Sequence, residues 1–204
     1  MLRIVEIVVV TICCLIVGAL AQDVQPPVLD TQGRPLRAGT RYFISPKGRL
    51  PEGTALTLVR ANNSCPLYVG QNSRQSRTIV LPVVFNPFVA DETIIRESSS
   101  FTLSFVGSPL GSCAGYTTEW AIDGASDPNS SGRALITTSR ENRPSTFFKI
   151  GKDGNGYKLG FCPSDVCPLC RFRCGDAGIV VENGSRLLAL HVPDPLSVVF
   201  QRAT

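Results

Sequence analysis

Four cysteines in the last quarter of the 204-residue chain have a spacing that could support chemistry. They follow the pattern Cys-x4-Cys-x2-Cys-x3-Cys, at Cys162, Cys167, Cys170 and Cys174. The spacing of the first three resembles that of a plant-type iron–sulfur protein, and four thiolates can also hold zinc. Both kinds of site need reduced thiols, whereas an oxidising compartment favours disulfides. The chemistry of this cluster therefore depends on where the chain is sent.

The first 21 residues have the features of a secretory signal peptide. Arg3 precedes an apolar run from Ile7 to Leu20, and Ala19-Leu20-Ala21 fits a small-x-small cleavage site. The alternative, a membrane anchor, needs about 20 apolar residues, and this run holds about 14. We therefore expect a signal peptide at residues 1–21 and a mature chain of residues 22–204. We expect that chain to be secreted, to the extracellular space or to a vacuole, with its cysteines oxidised.

The other groups that could act in catalysis are isolated. His191 is the only histidine, and no nucleophile motif surrounds it. A serine or cysteine nucleophile needs a positioned base, so one lone histidine argues against such a site. The adjacent carboxylates of Asp91 and Glu92 lie in a turn-like stretch without a pocket signal. We predict that the protein is not an enzyme and needs no cofactor or metal.

Six cysteines remain once the signal peptide removes Cys13 and Cys14. Six thiols allow 15 connectivities. Their spacing favours Cys65 with Cys113, across a long loop, and pairing of the last four among themselves. In the chain-entropy model, closing a loop of about 50 residues stabilises the fold by on the order of 4 kcal/mol. Three sequons also fit an exported surface, and they predict glycosylation at Asn62, Asn129 and Asn183.

Charge and composition limit the classes of partner. The chain has a net charge of +4 with scattered basic residues, and no basic run with interleaved aromatics indicates nucleic-acid binding. We expect neither a nucleic-acid partner nor, after signal removal, a membrane. No low-complexity linker interrupts residues 22–204, so we expect a single domain.

The elements that position these residues are predicted to be short β-strands. Stretches of β-branched or alternating residues are separated by turn sequences such as Pro46-Lys47-Gly48 and Gly107-Ser108-Pro109. No long window has a 3.6-residue apolar period, which argues against helix. About a dozen strands at this spacing predict an all-β sandwich or closed barrel. The predicted strands are 41–44, 55–59, 78–85, 101–105, 119–122, 134–137, 147–150, 157–161, 179–182, 187–190 and 197–201.

Several motifs follow one another along the mature chain. They are Val28-Leu29-Asp30 with Gly33-x-Pro35-Leu36-x-x-Gly39-x-x-Tyr42, then Cys65-Pro66-Leu67, Leu81-Pro82-Val83-Val84-Phe85 and Thr118-Glu119-Trp120, and finally Tyr157-Lys158-Leu159-Gly160-Phe161-Cys162-Pro163, Cys174-Gly175-Asp176, Leu187-Leu188-Ala189-Leu190 and Val199-Phe200-Gln201. In this order they resemble the plant Kunitz-type inhibitors of the soybean trypsin inhibitor family. The extra Cys167-x-x-Cys170 is similar to the miraculin-like branch.

The resemblance implies a β-trefoil, in which six of twelve strands close a short barrel and six cap it with pseudo-threefold symmetry. It implies three disulfides, with Cys162 joined to Cys174 and Cys167 to Cys170 beside Cys65–Cys113. No cysteine is then left over, so we expect a monomer. The implied function is inhibition of a serine endopeptidase by a substrate-like loop, and the implied partner is a protease or another hydrolase.

The resemblance places the inhibitory loop directly after the Pro-Val-x-Phe strand. Its specificity residue would be Val89, or Phe88 if the register shifts by one. Neither side chain is basic, so we expect a target other than trypsin. Many active members carry Asn before the Gly of the opening signature, where this chain has Ala38; a defence or storage protein with weak or no inhibition is therefore the alternative. The predicted loop consists of Asn86, Pro87, Phe88, Val89, Ala90 and Asp91.

Overall fold

The computed structural model describes residues 25–48, 55–60, 65–71, 80–107, 113–122, 133–142, 144, 146–171 and 173–203. The predicted signal peptide and the sequons at Asn62 and Asn129 lie outside these residues. No helix in the described ranges is long and apolar enough to span a membrane. The strands are β1 Tyr42–Pro46, β2 Leu56–Val59, β3 Tyr68–Gln71, β4 Val83–Pro87, β5 Phe101–Phe105, β6 Tyr116–Ile122, β7 Ala134–Arg140, β8 Lys149–Asp153, β9 Gly156–Phe161, β10 Gly175–Glu182, β11 Ser185–Leu190 and β12 Ser197–Arg202.

Six of these strands close a short antiparallel barrel. β1 pairs with β12 and β4, β4 pairs with β5, and β9 pairs with β8 and β12. An isolated bridge joins β5 to the residue before β8, because Phe101 and Phe148 exchange backbone hydrogen bonds of 3.0 and 2.8 Å. The ring of strands is therefore complete, and closure of this kind leaves few free strand edges.

Three hairpins, β2–β3, β6–β7 and β10–β11, cap the barrel. Their inner strands β3, β7 and β11 pair with one another, at Tyr68↔Thr137, Leu187↔Gly70 and Ala189↔Leu135. Each hairpin therefore contacts the other two, which gives the cap its threefold arrangement. Barrel and cap together form the predicted β-trefoil of twelve strands.

β3 is the one strand that was missing from the predicted set. Gly70 lies inside it and weakens the local strand signal, because glycine has no side chain to pack. The fold nevertheless needs glycine there, since a Cβ at Gly70 would collide with the backbone oxygen of Arg186. The predicted strand 78–85 also differs over its described part, because residues 80–82 precede β4, which starts at Val83; residues 78 and 79 lie outside the described ranges.

Aromatic side chains fill the centre of the barrel. Phe85 on β4 is fully buried and meets Tyr42, Phe101 and Phe200 edge-on, with ring centroids 6.0, 5.3 and 5.7 Å apart. Such edge-to-face pairs add to the stability that burial alone provides. Phe85 lies two residues before the end of β4 and therefore anchors the root of the β4–β5 connection.

Three disulfides connect the chain, and they are the three pairs that the resemblance implied. Cys65–Cys113 joins the segment before β3 to the segment before β6, with 5.7 Å between the Cα atoms. Cys162–Cys174 and Cys167–Cys170 both lie in the β9–β10 connection. All four cysteines of the late cluster are thus paired, and none remains as a thiolate for iron or zinc.

Candidate functional site

The predicted inhibitory loop is the first part of the connection between β4 and β5. The two strands run side by side to Pro87 and Phe101, and the N–H of Phe88 extends this pairing by donating to the carbonyl of Ser100 at 2.9 Å. The chain then turns sharply: the N–H of Glu92 approaches the carbonyl of Val89 at 3.4 Å, and Asp91 has a φ of 67°. Residues 88–92 therefore form the tip.

The tip exposes two consecutive apolar side chains. Phe88 is 42% exposed and Val89 is 58% exposed. The ring of Phe88 leans edge-on against Phe147, with centroids 5.1 Å apart, so one side of it is supported by the body of the protein. Single exposed apolar side chains are common on protein surfaces, whereas adjacent ones that form a patch are typical of surfaces that bind another molecule.

Residues 25–39, here called the opening segment, contact both arms of this loop. The first arm is β4, which leads into the tip, and the returning arm is residues 93–100. The N–H of Ala38 donates to the carbonyl of Thr93 on the returning arm at 2.9 Å, and the N–H of Gly39 reaches the carbonyl of Phe85 on β4 at 3.2 Å. Gly39 has a φ of +68°, a backbone conformation that favours glycine. Two consecutive amides thus tie both arms, although the methyl group of Ala38 adds no hydrogen bond of its own.

A buried carboxylate shapes the opening segment just before this tie. Oδ1 of Asp30 accepts hydrogen bonds from the N–H groups of Gln32 and Arg34 at 2.8 and 3.0 Å, and Oδ2 faces the Arg34 guanidinium at 3.2 Å. Burial opposes ionisation of Asp30, but the hydrogen bonds outweigh it and hold its pKa below the usual value. The turn that leads to Ala38 therefore depends on an ionised Asp30.

The returning arm has its own ionic tie. Glu92, at the end of the tip, pairs with Arg96 at 2.7 Å, and Arg96 also donates to the carbonyl of Gln25 at 3.0 Å. The backbone continues this contact, since the N–H of Glu97 donates to the carbonyl of Pro26 at 2.9 Å. The arm is therefore bound along its length to residues 25–39.

A second group of polar residues meets the end of the returning arm, and no sequence motif pointed to it. The N–H and hydroxyl of the buried Ser100 donate to Oδ2 and Oδ1 of Asp165 at 3.1 and 2.6 Å. Lys149 pairs with the same carboxylate at 3.0 Å. Burial opposes ionisation of Asp165, but the hydrogen bonds from Ser100 and Lys149 outweigh it and lower its pKa.

Comparison with known proteins identifies the family. The family of Kunitz legume trypsin and protease inhibitors matches residues 28–202. The chain belongs to this family. The match includes the loop, both of its arms and all six paired cysteines, and the predicted resemblance is confirmed.

Individual Kunitz relatives agree with this assignment. The chain is 38% identical over 182 residues to Kunitz type trypsin inhibitor 104 of Medicago truncatula, covering 86% of this chain and 87% of the relative. It is 35% identical over 185 residues to miraculin of Synsepalum dulcificum, covering 83% and 81%. The solved structure of a Kunitz-type cysteine protease inhibitor from potato superposes with a TM-score of 0.70 at 28% identity, covering 89% and 99%. The relatives from Medicago and potato are protease inhibitors and not enzymes, and this confirms the prediction that the chain is not an enzyme.

The remaining predicted site residues are separate from the Kunitz loop chemistry. Burial, followed by repulsion from Arg173, lowers the pKa of His191, which packs against Gly175 rather than beside a nucleophile motif.

Asn183 lies with Gly184 in the exposed two-residue turn of the β10–β11 hairpin, and both have positive φ, as such turns require. Its position at the surface is compatible with a glycan, and glycosylation there stays a prediction.

Proposed function

We propose that this Kunitz protein is a secreted inhibitor of a serine endopeptidase whose specificity pocket is apolar or small. Residues 86–91 act as the substrate-like loop, and Val89 is the side chain that enters the pocket. The main observation that supports this proposal is the exposed apolar pair of Phe88 and Val89. The two side chains lie on a tip whose two arms are hydrogen-bonded to the opening segment. The signal-like first 21 residues support secretion.

The ties on the arms matter because an inhibitor must be rigid as well as complementary. A flexible loop loses conformational freedom on binding, and this loss subtracts from the affinity. Here the amides of Ala38 and Gly39 hold the arms, while Pro87 restricts its own φ at the entrance to the tip. The loop therefore enters a complex with little freedom left to lose.

The identity of residue 89 argues for a target other than trypsin. The trypsin pocket contains a buried carboxylate, which an apolar side chain would leave unpaired at a cost of several kcal/mol. The Medicago relative is named a trypsin inhibitor and the potato protein a cysteine protease inhibitor, so inhibitors of this fold are associated with more than one kind of target. Val89 fits the hydrophobic or small pockets of chymotrypsin-, elastase- or subtilisin-like enzymes.

Inhibition assays of the mature protein against trypsin, chymotrypsin, elastase, subtilisin and papain test this proposal. We expect nanomolar inhibition of an apolar-pocket serine protease and a loss of at least a hundredfold in Val89→Asp, because a charge would be buried in that pocket. Val181→Asp is the matched control, since Val181 is equally apolar and 63% exposed on β10. Phe88→Asp tests the register. Strong trypsin inhibition that survives Val89→Asp would contradict the assignment of the loop.

The alternative function is a miraculin-like defence or storage protein with weak or no protease inhibition. Two observations favour it: Ala38 provides no side-chain brace, and the carbonyl of Val89 already faces the N–H of Glu92. In a substrate-like complex the carbonyl of the specificity residue must instead reach the donors of the enzyme's oxyanion hole. Absence of inhibition in all five assays would favour this alternative.

A further inference from the structure

The tip of the loop is connected by hydrogen bonds to a residue far away in the chain. Phe88 donates to the carbonyl of Ser100, and the N–H and hydroxyl of Ser100 both donate to the carboxylate of Asp165. Asp165 belongs to the β9–β10 connection, 65 residues further along the chain. A continuous path therefore runs from this carboxylate to the first residue of the tip.

We propose that Asp165 is a positioning residue for the inhibitory loop, which it holds at the end of the returning arm, away from the tie at Thr93. This role rests on the proposed function of the loop. Asp165 makes no contact with a protease in this proposal; it acts through Ser100. It thereby supplies some of the rigidity that Ala38 does not provide.

Ser100 is buried, so the loss of its hydrogen bonds to Asp165 would destabilise the end of the returning arm. Ser100 is only 3% exposed, so water could not easily replace its hydrogen bonds if the carboxylate were removed. A buried donor left without a partner destabilises the conformation that buries it. Hydrogen bonds to an ionised carboxylate are also stronger than those between neutral groups. Asp165 therefore fixes the orientation of the Ser100 backbone, whose carbonyl in turn receives the amide of Phe88.

The carboxylate of Asp165 is itself held in place by an ion pair and by the disulfide-closed turn around it. Lys149, at the start of β8, pairs with Oδ1 at 3.0 Å. Asp165 also lies inside the loop closed by Cys162–Cys174, where the N–H groups of Ser164 and Cys167 donate to the carbonyls of Cys162 and Pro163 at 2.8 and 3.1 Å. A disulfide-closed turn thus presents the acceptor, and the loop without a disulfide uses it.

Amide hydrogen exchange measured on the full mature chain tests the proposal without any protease. In Asp165→Ala we expect the Phe88 amide to exchange about tenfold faster, because its acceptor is no longer fixed. Ser100→Ala loses the hydroxyl hydrogen bond but keeps the one from its N–H, and Asp165→Asn keeps an acceptor oxygen, so both should fall between Asp165→Ala and the wild type. The matched control is Asp153→Ala, which removes a carboxylate paired with Lys158 at 3.7 Å on the β8–β9 hairpin. Equal Phe88 exchange in Asp165→Ala and Asp153→Ala would overturn the positioning role.

The same variants connect the positioning role to inhibition. Against the protease found for the wild type, Asp165→Ala should raise the inhibition constant about tenfold and accelerate cleavage of the loop in the complex. If the wild type inhibits no protease, the proposed function fails, but the exchange result still decides the role of Asp165. If Asp165→Ala does not fold, Asp165→Asn and Ser100→Ala decide it, and wild-type exchange of Phe88 in both would overturn it.

Discussion

The two connections β4–β5 and β9–β10 are held in different ways. The first contains the proposed inhibitory tip and has no disulfide; amides of Ala38 and Gly39, the Glu92–Arg96 pair and the Ser100–Asp165 contact hold it. The second is closed by Cys162–Cys174 and, inside it, by Cys167–Cys170. One loop depends on distant parts of the chain, whereas the other is stabilised mainly by its own covalent bonds.

This difference has a consequence for how each loop tolerates change. Hydrogen bonds between distant segments exist only while the fold brings those segments together, so the β4–β5 tip can be loosened from several places. A disulfide instead restricts the chain even when it is unfolded. The hydrogen bonds from Ser100 to Asp165 connect the two loops. Through them, the disulfide-closed β9–β10 connection restricts the motion of the β4–β5 connection, which has no disulfide.

For these two connections, the largest effect is expected from removing the outer disulfide of the β9–β10 connection, Cys162–Cys174. In the chain-entropy model, Cys162→Ala/Cys174→Ala lowers the free energy of unfolding by about 3 kcal/mol, and Cys167→Ala/Cys170→Ala, which opens a much shorter loop, lowers it by about 2 kcal/mol. Chemical denaturation of both variants under non-reducing conditions measures the two values. A larger loss for the inner pair would show that the two staples do not act through chain restriction.

A smaller effect is expected from adding a hydrogen-bonding side chain that braces the β4–β5 connection, which has no disulfide. Ala38→Asn places an amide between the arms that the N–H groups of residues 38 and 39 already tie, at Thr93 and Phe85. We expect an inhibition constant about tenfold lower against the target protease, because a more rigid loop loses less freedom on binding. The substitution creates an N-x-T sequon with Thr40, so the protein must be produced without glycosylation.

The control for this gain is Thr31→Asn, which adds the same side chain on an exposed turn of the opening segment away from the arms. Equal affinities of Ala38→Asn and the wild type would indicate that the backbone ties and Asp165 already make the loop rigid. Weaker inhibition by Ala38→Asn would contradict the bracing idea altogether.

The strands could be predicted because their signals are local, whereas the trefoil followed from ordered motifs that resemble a known family. The strand 101–105 was predicted with its observed bounds, and the turn residues between strands are readable from glycine and proline. β3 was missed because Gly70 is needed for the close approach of Arg186, a contact between distant hairpins. The contact of Ser100 with Asp165 was invisible for the same reason: nothing near either residue indicates a partner 65 positions away.

The smallest effect concerns the opening segment, where Asp30 supports the turn before Ala38. Its pKa in the folded state lies below the ordinary value of 3.8, so the ionised carboxylate stabilises the fold above about pH 4. This contribution is lost as the pH falls from there through the lower pKa of the folded state. Asp30→Asn should therefore be about 1 kcal/mol less stable than the wild type at pH 7, and the difference should shrink towards pH 2. Denaturation at both pH values measures it, with the exposed Asp194→Asn as control; a difference that stayed constant with pH would mean that the charge of Asp30 does not support the turn.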